Sequence, residues 1–202
     1  MNCIMVNDVK IELTDEQIKK IVESYSARGV KLSDIPVGET FKVDDYEFIV
    51  LEHSEETTAV NLKDFLHDSE TFGSNNKYTG SNVDELCEEF GKEIEKLVGE
   101  DNLILHTVDL TSNDGLKDYG KVERKMSLLT AELYRRYVDI LDKYKLDNWW
   151  WLSTPWSTPT HGYEASVLCV SPSGLICSSN SDYCGRGVRP FCILKSNIFV
   201  SK

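Results

Sequence analysis

The chain has 202 residues, of which 41% are hydrophobic and 28% are charged, which is ordinary for one globular domain with a sizeable core. Its 34 acidic and 22 basic side chains give a net charge of −12, which opposes non-specific attraction to nucleic acid or anionic membranes. The N-terminal segment lacks the features of a signal peptide, and no stretch approaches the roughly 20 apolar residues that span a membrane. We therefore expect cytoplasmic synthesis, no nucleic-acid partner and no membrane insertion.

The charge and the cysteines are unevenly placed. Almost all acidic side chains precede residue 147, whereas residues 147–202 concentrate tryptophan, serine, threonine and glycine. The cysteines form no CxxC pair and have no histidine at zinc-finger spacing. We therefore expect them to be reduced and mostly structural. They are Cys3, Cys87, Cys169, Cys177, Cys184 and Cys192.

The first predicted element is an amphipathic helix. Thr14 is suited to the N-cap, with Gln17 completing a capping box, and Gly29 is suited to end the helix. The apolar side chains at helical spacing are Ile18, Ile21, Val22 and Tyr25. We predict an N-terminal helical extension over residues 1–33 and a main domain over residues 34–202.

The next segments alternate between strand and helix patterns. Residues 35–53 predict a hairpin that turns at Asp44 and Asp45, and residues 57–62 predict a third strand. Residues 82–99 predict a helix with Asn82 as the N-cap. Residues 128–144 predict a second strong helix, which Thr130 caps.

The C-terminal part predicts strands and loops. In the segment VLCVSPSGLIC (167–177), a turn that places Gly174 in the left-handed region sets Cys169 directly opposite Cys177. Further strands follow in GVRPFCIL and NIFVS. Strands, then helices, then strands indicate an α+β fold with two main helices and a loop-rich C-terminal half.

All four tryptophans fall within eight positions, at Trp149, Trp150, Trp151 and Trp156. On a strand, Trp149 and Trp151 would point to one face and Trp150 to the other. We predict that Trp149 or Trp151 is buried. Trp156 follows a proline that interrupts the strand, so we predict that its side chain is exposed.

Two C-terminal loop segments have the composition of a recognition surface. STPWSTPTHGYE and SSNSDYCGRG mix aromatic rings with Ser, Asn and Gly, as binding loops do, although ordinary turns also collect Ser, Gly and Asn. Arg189 is expected to bury its charge against an acidic or carbonyl partner. We predict no catalytic residue, metal or cofactor, because no HExxH, GxSxG or GxxxxGK[ST] motif occurs. The predicted contact residues are Trp156, His161, Tyr163, Asp182, Tyr183 and Arg186.

The segments NWWWLSTPWST and GVRPFCIL, with a glycine-turn hairpin between them, resemble an uncharacterised bacterial and prophage domain family. IPVGETFKVDDYEFIVLE, HTVDLTSNDGLKDYG and LLTAELYRRY extend the resemblance from about residue 35 to the C-terminus. It implies a C-type-lectin-like fold and a phage or prophage context, with no established activity. The calcium-binding motifs of sugar-binding members are absent here.

These features predict a non-enzymatic binding or structural module that recognises a protein or a glycan through its C-terminal loops, in the cytoplasm or on a virion. One alternative is an oxidoreductase that uses Cys184 and Cys192. It rests on the similarity of the final strand to that of formylglycine-generating enzymes. A further alternative is a scaffold whose acidic helices contact a partner.

Overall fold

A computed structural model describes residues 2–6, 9–14, 16–17 and 29–202. Thr14 and Gln17 exchange reciprocal hydrogen bonds, Thr14 N to Gln17 Oε1 and Gln17 N to Thr14 Oγ1, which confirms the predicted capping box. The apolar positions of the predicted N-terminal helix lie outside the described residues. Before that cap, residues 2–6 and 9–13 form two antiparallel strands.

The described chain is predominantly β-sheet. Its strands are β1 Asn2–Val6, β2 Val9–Leu13, β3 Val30–Lys31, β4 Thr40–Val43, β5 Tyr46–His53, β6 Thr57–Leu62, β7 His67–Glu70, β8 Leu103–Ile104, β9 His106–Asp109, β10 Lys121–Arg124, β11 Met126–Leu128, β12 Trp150–Pro155, β13 Ser166–Val170, β14 Ile176–Asn180, β15 Arg186–Val188, β16 Pro190–Lys195 and β17 Phe199–Val200. Its α-helices are α1 Asn82–Val98, α2 Ala131–Arg136 and α3 Val138–Leu141.

Two larger sheets hold most of these strands. One has the order β11-β16-β6-β5-β4, with β8 also paired to β16, and the other has the order β14-β13-β12-β15-β7. Two-stranded sheets are formed by β1 with β2, β9 with β10, and β3 with β17. The pairing of β12 with β15 is parallel, whereas the other strand pairs described are antiparallel.

The predicted α+β fold of C-type-lectin-like layout is therefore wrong, because several sheets dominate the structure and the helices are few. The reason is local. The predicted second helix is interrupted at Tyr137, which has φ −107° and ψ 13°, and it continues only as the short α3 and one 3₁₀ turn. Several strands have only two to four residues, too short for an alternating pattern to reveal.

The N-cap of helix α1 lies one residue earlier than predicted. Ser81 is the N-cap, since its hydroxyl accepts a hydrogen bond from Asp84 N at 3.3 Å. Asn82 instead donates from Nδ2 to Thr71 Oγ1. The predicted cap of the second helix is confirmed, because Thr130 Oγ1 accepts from Leu133 N.

The central strands of both large sheets are buried on both faces. Along β5, Phe48 and Val50 enter one core cluster, whereas Ile49 enters the other. Helix α1 covers the first cluster with Val83, Cys87, Phe90 and Ile94, and the α2–α3 region covers the second with Tyr134, Tyr137 and Leu141. Successive strand residues point to opposite faces, so this arrangement explains why long runs of adjacent residues are buried.

Candidate functional site

The three adjacent tryptophans belong to both cores. Trp151 is fully buried in the first cluster, where Trp149 packs partly buried, and Trp150 is buried in the second. Trp156 remains 43% exposed beyond the end of β12. The prediction that Trp149 or Trp151 is buried and Trp156 exposed is confirmed.

The Trp156 loop, residues 156–165 between β12 and β13, is held by a neighbouring turn. Ser157 Oγ donates to Asp114 Oδ2 at 2.6 Å, and His161 Nδ1 lies 2.9 Å from the same oxygen. The hydroxyls of Thr158 and Thr160 both donate to Asp118 Oδ2 at 2.6 Å. Four side chains of the loop are thus fixed by two carboxylates.

These carboxylates are anchors in their ionised form. The hydroxyls of Ser112 and Ser157, and then His161, hold the pKa of Asp114 well below its usual range. The hydroxyls of Thr158 and Thr160 lower the pKa of Asp118. Hydrogen bonds donated to a carboxylate favour its charged form. Both anchors are therefore ionised near neutral pH.

A buried asparagine fixes the backbone of the same loop. Asn76 Nδ2 donates to Ser157 O at 2.9 Å and to Ser166 O at 3.0 Å. Its Oδ1 accepts from Tyr119 OH at 2.7 Å, and its backbone N donates to Glu164 O at 2.8 Å. One fully buried side chain therefore joins three segments that are distant in sequence.

The Trp156 loop adjoins the Tyr183 loop, residues 181–185 between β14 and β15. Ser181 N donates to Ala165 O at 2.7 Å, which joins the start of one loop to the end of the other. The two loops that carry the predicted contact residues are therefore neighbours in the structure. Tyr163 is 59% exposed and Tyr183 is 51% exposed, and Asp182 is also exposed.

Arg186 lies at the foot of the Tyr183 loop, close to two aromatic rings. Its guanidinium carbon is 4.5 Å from the ring centroid of Tyr183 and 4.9 Å from that of Trp149. We call these three residues the Arg186 stack. Both distances are within the range of cation–π attraction, which favours this position of the guanidinium. The Nε of Arg186 is buried and has no hydrogen-bond partner.

The serine, histidine and aspartate of the Trp156 loop region do not form a hydrolytic triad. In a triad the histidine bridges the serine and the aspartate. Here Ser157 and His161 both bond to Asp114 Oδ2, so no imidazole nitrogen is shown activating the hydroxyl. The cluster fits a positioning role.

The two cysteines of the oxidoreductase alternative lie in different surroundings. Cys184 is exposed on the Tyr183 loop, whereas Cys192 is fully buried on β16, opposite Val60 and Met126. Burial raises the pKa of the Cys192 thiol. In the part of the chain that the structure describes, no group of three or more His, Cys, Asp and Glu side chains could hold a metal ion.

Two further predictions near the site are confirmed. Cys169 is paired with Cys177 across β13 and β14, and Gly174 has φ +88° in the connecting turn. Arg189 is 1% exposed and donates to three backbone carbonyls, those of Leu62, Lys63 and Tyr144, at 2.9, 2.8 and 3.2 Å. Burial lowers its pKa to about 10. Arg189 is thus a structural residue.

A polar cleft of about 310 Å³ opens beside the turn that carries Asp114. Its lining includes Thr111, Asn113, Glu132 and Arg135. Asn113 N donates to Pro155 O at 2.9 Å, so the cleft adjoins the base of the Trp156 loop. The exposed aromatic side chains of the two loops are not among the residues that line this cleft.

Comparison with known proteins identifies one family. Residues 112–196 match the family described as "Domain of unknown function (DUF6273)". The predicted resemblance to an uncharacterised family is confirmed to this extent, over a shorter range than expected. No curated protein matches the chain. No solved structure matches it either.

The matched region contains β12, the Trp156 loop, the Tyr183 loop and the anchors Asp114 and Asp118. Asn76, which binds the loop backbone, lies outside it. Sequence reasoning identified the exposed rings but not these three anchors. The turn at residues 113–115 was visible in the sequence, yet nothing in its local pattern relates Asp114 to a serine 43 residues away.

Among the described residues, no helix is long and apolar enough to cross a membrane.

Proposed function

We propose that this chain is a non-enzymatic binding module that recognises a protein or a glycan through the Trp156 loop and the Tyr183 loop. One observation carries the proposal. The exposed rings of Trp156, Tyr163 and Tyr183 stand on adjoining loops whose conformation is fixed by hydrogen bonds rather than by covering side chains.

The chemistry of these rings suits recognition. Aromatic side chains offer a large contact area with few rotatable bonds, and Tyr and Trp can also form hydrogen bonds. Fixing the loops beforehand reduces the entropy that binding must overcome. Asp114 and Asp118 supply this fixation through four side chains of the Trp156 loop.

The proposal includes a phage or prophage origin. Its support is the order of the segments NWWWLSTPWST and GVRPFCIL, which resembles a prophage-associated family. Neighbouring genes for tail or capsid proteins would support this origin and a place on the virion. An unrelated chromosomal setting would count against both.

The binding surface can be tested with matched variants. The intact chain is screened on a glycan array and, separately, on a panel of purified bacterial surface proteins. Any hit is then measured with Trp156→Ala and Tyr183→Ala, with Leu175→Ala as the control. Leu175 is 65% exposed but lies on the turn between β13 and β14, outside the two loops.

Each aromatic variant should weaken binding about tenfold or more, as central aromatic contacts do. Leu175→Ala should bind as the unmodified chain does. Asp114→Ala keeps every aromatic side chain but removes the hydrogen bonds that hold the Trp156 loop, so it should also weaken binding. Undiminished binding by the Trp156→Ala, Tyr183→Ala double variant would overturn the proposal, as would no binding across both panels.

A further inference from the structure

Cys169 and Cys177 are direct cross-strand neighbours in the β13–β14 hairpin. Ser171 N donates to Leu175 O at 2.9 Å, and antiparallel pairs alternate between hydrogen-bonded and non-hydrogen-bonded positions. Cys169 and Cys177, two steps further along the ladder, therefore form a hydrogen-bonded pair. Such pairs have Cα atoms about 5.5 Å apart, within the roughly 4.4–6.8 Å range of disulfides. Their Cβ atoms, about 4.5–5.5 Å apart, must approach to about 3.8 Å for the bond to form, so the disulfide would be strained and easily reduced.

The two thiols differ in access. Cys169 is fully buried. It pairs with Trp151 on β12, and both side chains lie in the first core cluster. Cys177 is partly exposed at the edge strand β14. A small oxidant from solvent can therefore reach Cys177 first, and Cys169 is the neighbour that can respond.

Arg186 supplies a positive charge next to this pair. Burial raises the pKa of the Cys169 thiol to about 11, and the guanidinium of Arg186 opposes that rise. The buried Nε of Arg186 has no hydrogen-bond partner. A thiolate at Cys169 is an acceptor that could fill this position, because hydrogen bonds and charges of opposite sign favour the ionised form.

We propose that Cys169 and Cys177 are an oxidative modification site, in which a peroxide converts the facing thiols to a disulfide with Arg186 as the positioning residue. The Cys177 thiolate attacks one peroxide oxygen, so that an S–O bond forms, the O–O bond breaks and the departing hydroxide takes a proton to become water. The Cys169 thiolate then attacks the Cys177 sulfur. The S–S bond forms as the S–O bond breaks, and the departing hydroxide takes a second proton to leave as water, so that the two protons given up by the thiols end in the two waters.

The sulfurs together lose two electrons, which reduce one peroxide to two waters. The resulting bond fastens the edge strand β14 to β13 near the turn that contains Gly174. In a reducing cytoplasm the pair rests as two thiols. The proposal does not depend on the loops binding a ligand.

The test uses the reduced, intact chain treated with one equivalent of hydrogen peroxide. Mass spectrometry of the whole chain should show the loss of two hydrogen atoms, and digestion should recover Cys169 linked to Cys177. Cys184→Ser is the matched control, because it removes an exposed thiol from the neighbouring loop, and it should leave the product unchanged.

Single variants separate the two steps. Cys169→Ser should stop at a sulfenic acid on Cys177, which dimedone traps, and Cys177→Ser should leave Cys169 as a thiol. Arg186→Gln should slow disulfide formation relative to Arg186→Lys, which keeps the charge. Thermal unfolding confirms that each variant is folded, and Cys169→Ala replaces Cys169→Ser if the hydroxyl is not tolerated.

Recovery of a bond from Cys177 to Cys184 would overturn the proposal. Unaltered loss of two hydrogens in the Cys169 variant would overturn it equally. Progress of Cys177 to the sulfinic acid in the unmodified chain, without a disulfide, would also contradict it.

Discussion

Acid should destabilise this chain through one buried imidazole. His106 on β9 is 8% exposed, its Nε2 lies 2.8 Å from Ser127 Oγ, and its ring packs edge-on against Phe191 at 5.2 Å. Its Nδ1 is buried and has no hydrogen-bond partner. Burial lowers the pKa of His106 from 6.5 to about 4. The folded chain therefore holds the imidazole neutral at a pH where the unfolded chain binds a proton.

The direction and size of the change in unfolding free energy follow from proton linkage. Above pH 6.5 neither state is protonated at His106, so the full stability is present. Between pH 6.5 and 4 only the unfolded chain binds the proton, so stability falls as the pH falls, by at most about 1.4 kcal/mol per pH unit. The whole loss from this residue is about 3 kcal/mol, and it is complete once the pH is below the folded pKa.

The measurement is urea unfolding at pH 7 and at pH 4, for the unmodified chain and for His106→Gln. The amide can still bond to Ser127 but does not titrate. The stability of the unmodified chain relative to this variant should fall by about 3 kcal/mol between the two pH values. His67→Gln removes an exposed imidazole and should retain the acid loss. Parallel pH profiles for the unmodified chain and His106→Gln would refute the reasoning.

Other substitutions test packing, backbone and buried charge. Trp151→Ala should lower the free energy of unfolding by about 3–5 kcal/mol, whereas Trp156→Ala should change it by less than about 1 kcal/mol; equal urea midpoints would contradict this. Gly174→Val should lower the thermal midpoint more than Gly115→Val, since both have positive φ but only at position 174 would a Cβ meet another atom, at 2.7 Å; equal shifts would show that the close contact is unimportant. Arg189→Met strands three buried carbonyls and should cost about 3 kcal/mol or more in urea unfolding; a loss below about 1 kcal/mol would indicate that water replaces the guanidinium.

Local chemistry made part of this structure predictable. The glycine at position 174 and the acidic turn at Asp44 and Asp45 set the two main hairpins, since the preferences of turn residues act over a few positions. The N-cap at Thr130 was also predictable, because its hydroxyl bonds to a residue only three positions away. Strand alternation correctly separated Trp150 from Trp151.

The remaining features depend on contacts between distant segments. Nothing near Asn76 in the sequence indicates that it binds the backbone of residue 157, and nothing near Arg186 indicates a stack on Trp149. The prediction of the fold class was wrong for a related reason. Strands of two or three residues, such as β8 and β17, exist because a partner strand pairs with them, so their own sequence carries little signal.

The position of β16 has a consequence for synthesis. This strand lies inside the six-stranded sheet, where it pairs with β6 on one side and with β11 and β8 on the other. Until residue 195 has left the ribosome, one edge of β6 is without its partner, with the buried Thr58 and Val60 near the open edge. Closing such long-range pairs is slow, and unpaired edges invite association between chains. Ribosome-bound chains that stop before β16 should therefore depend on chaperones far more than chains that extend past it.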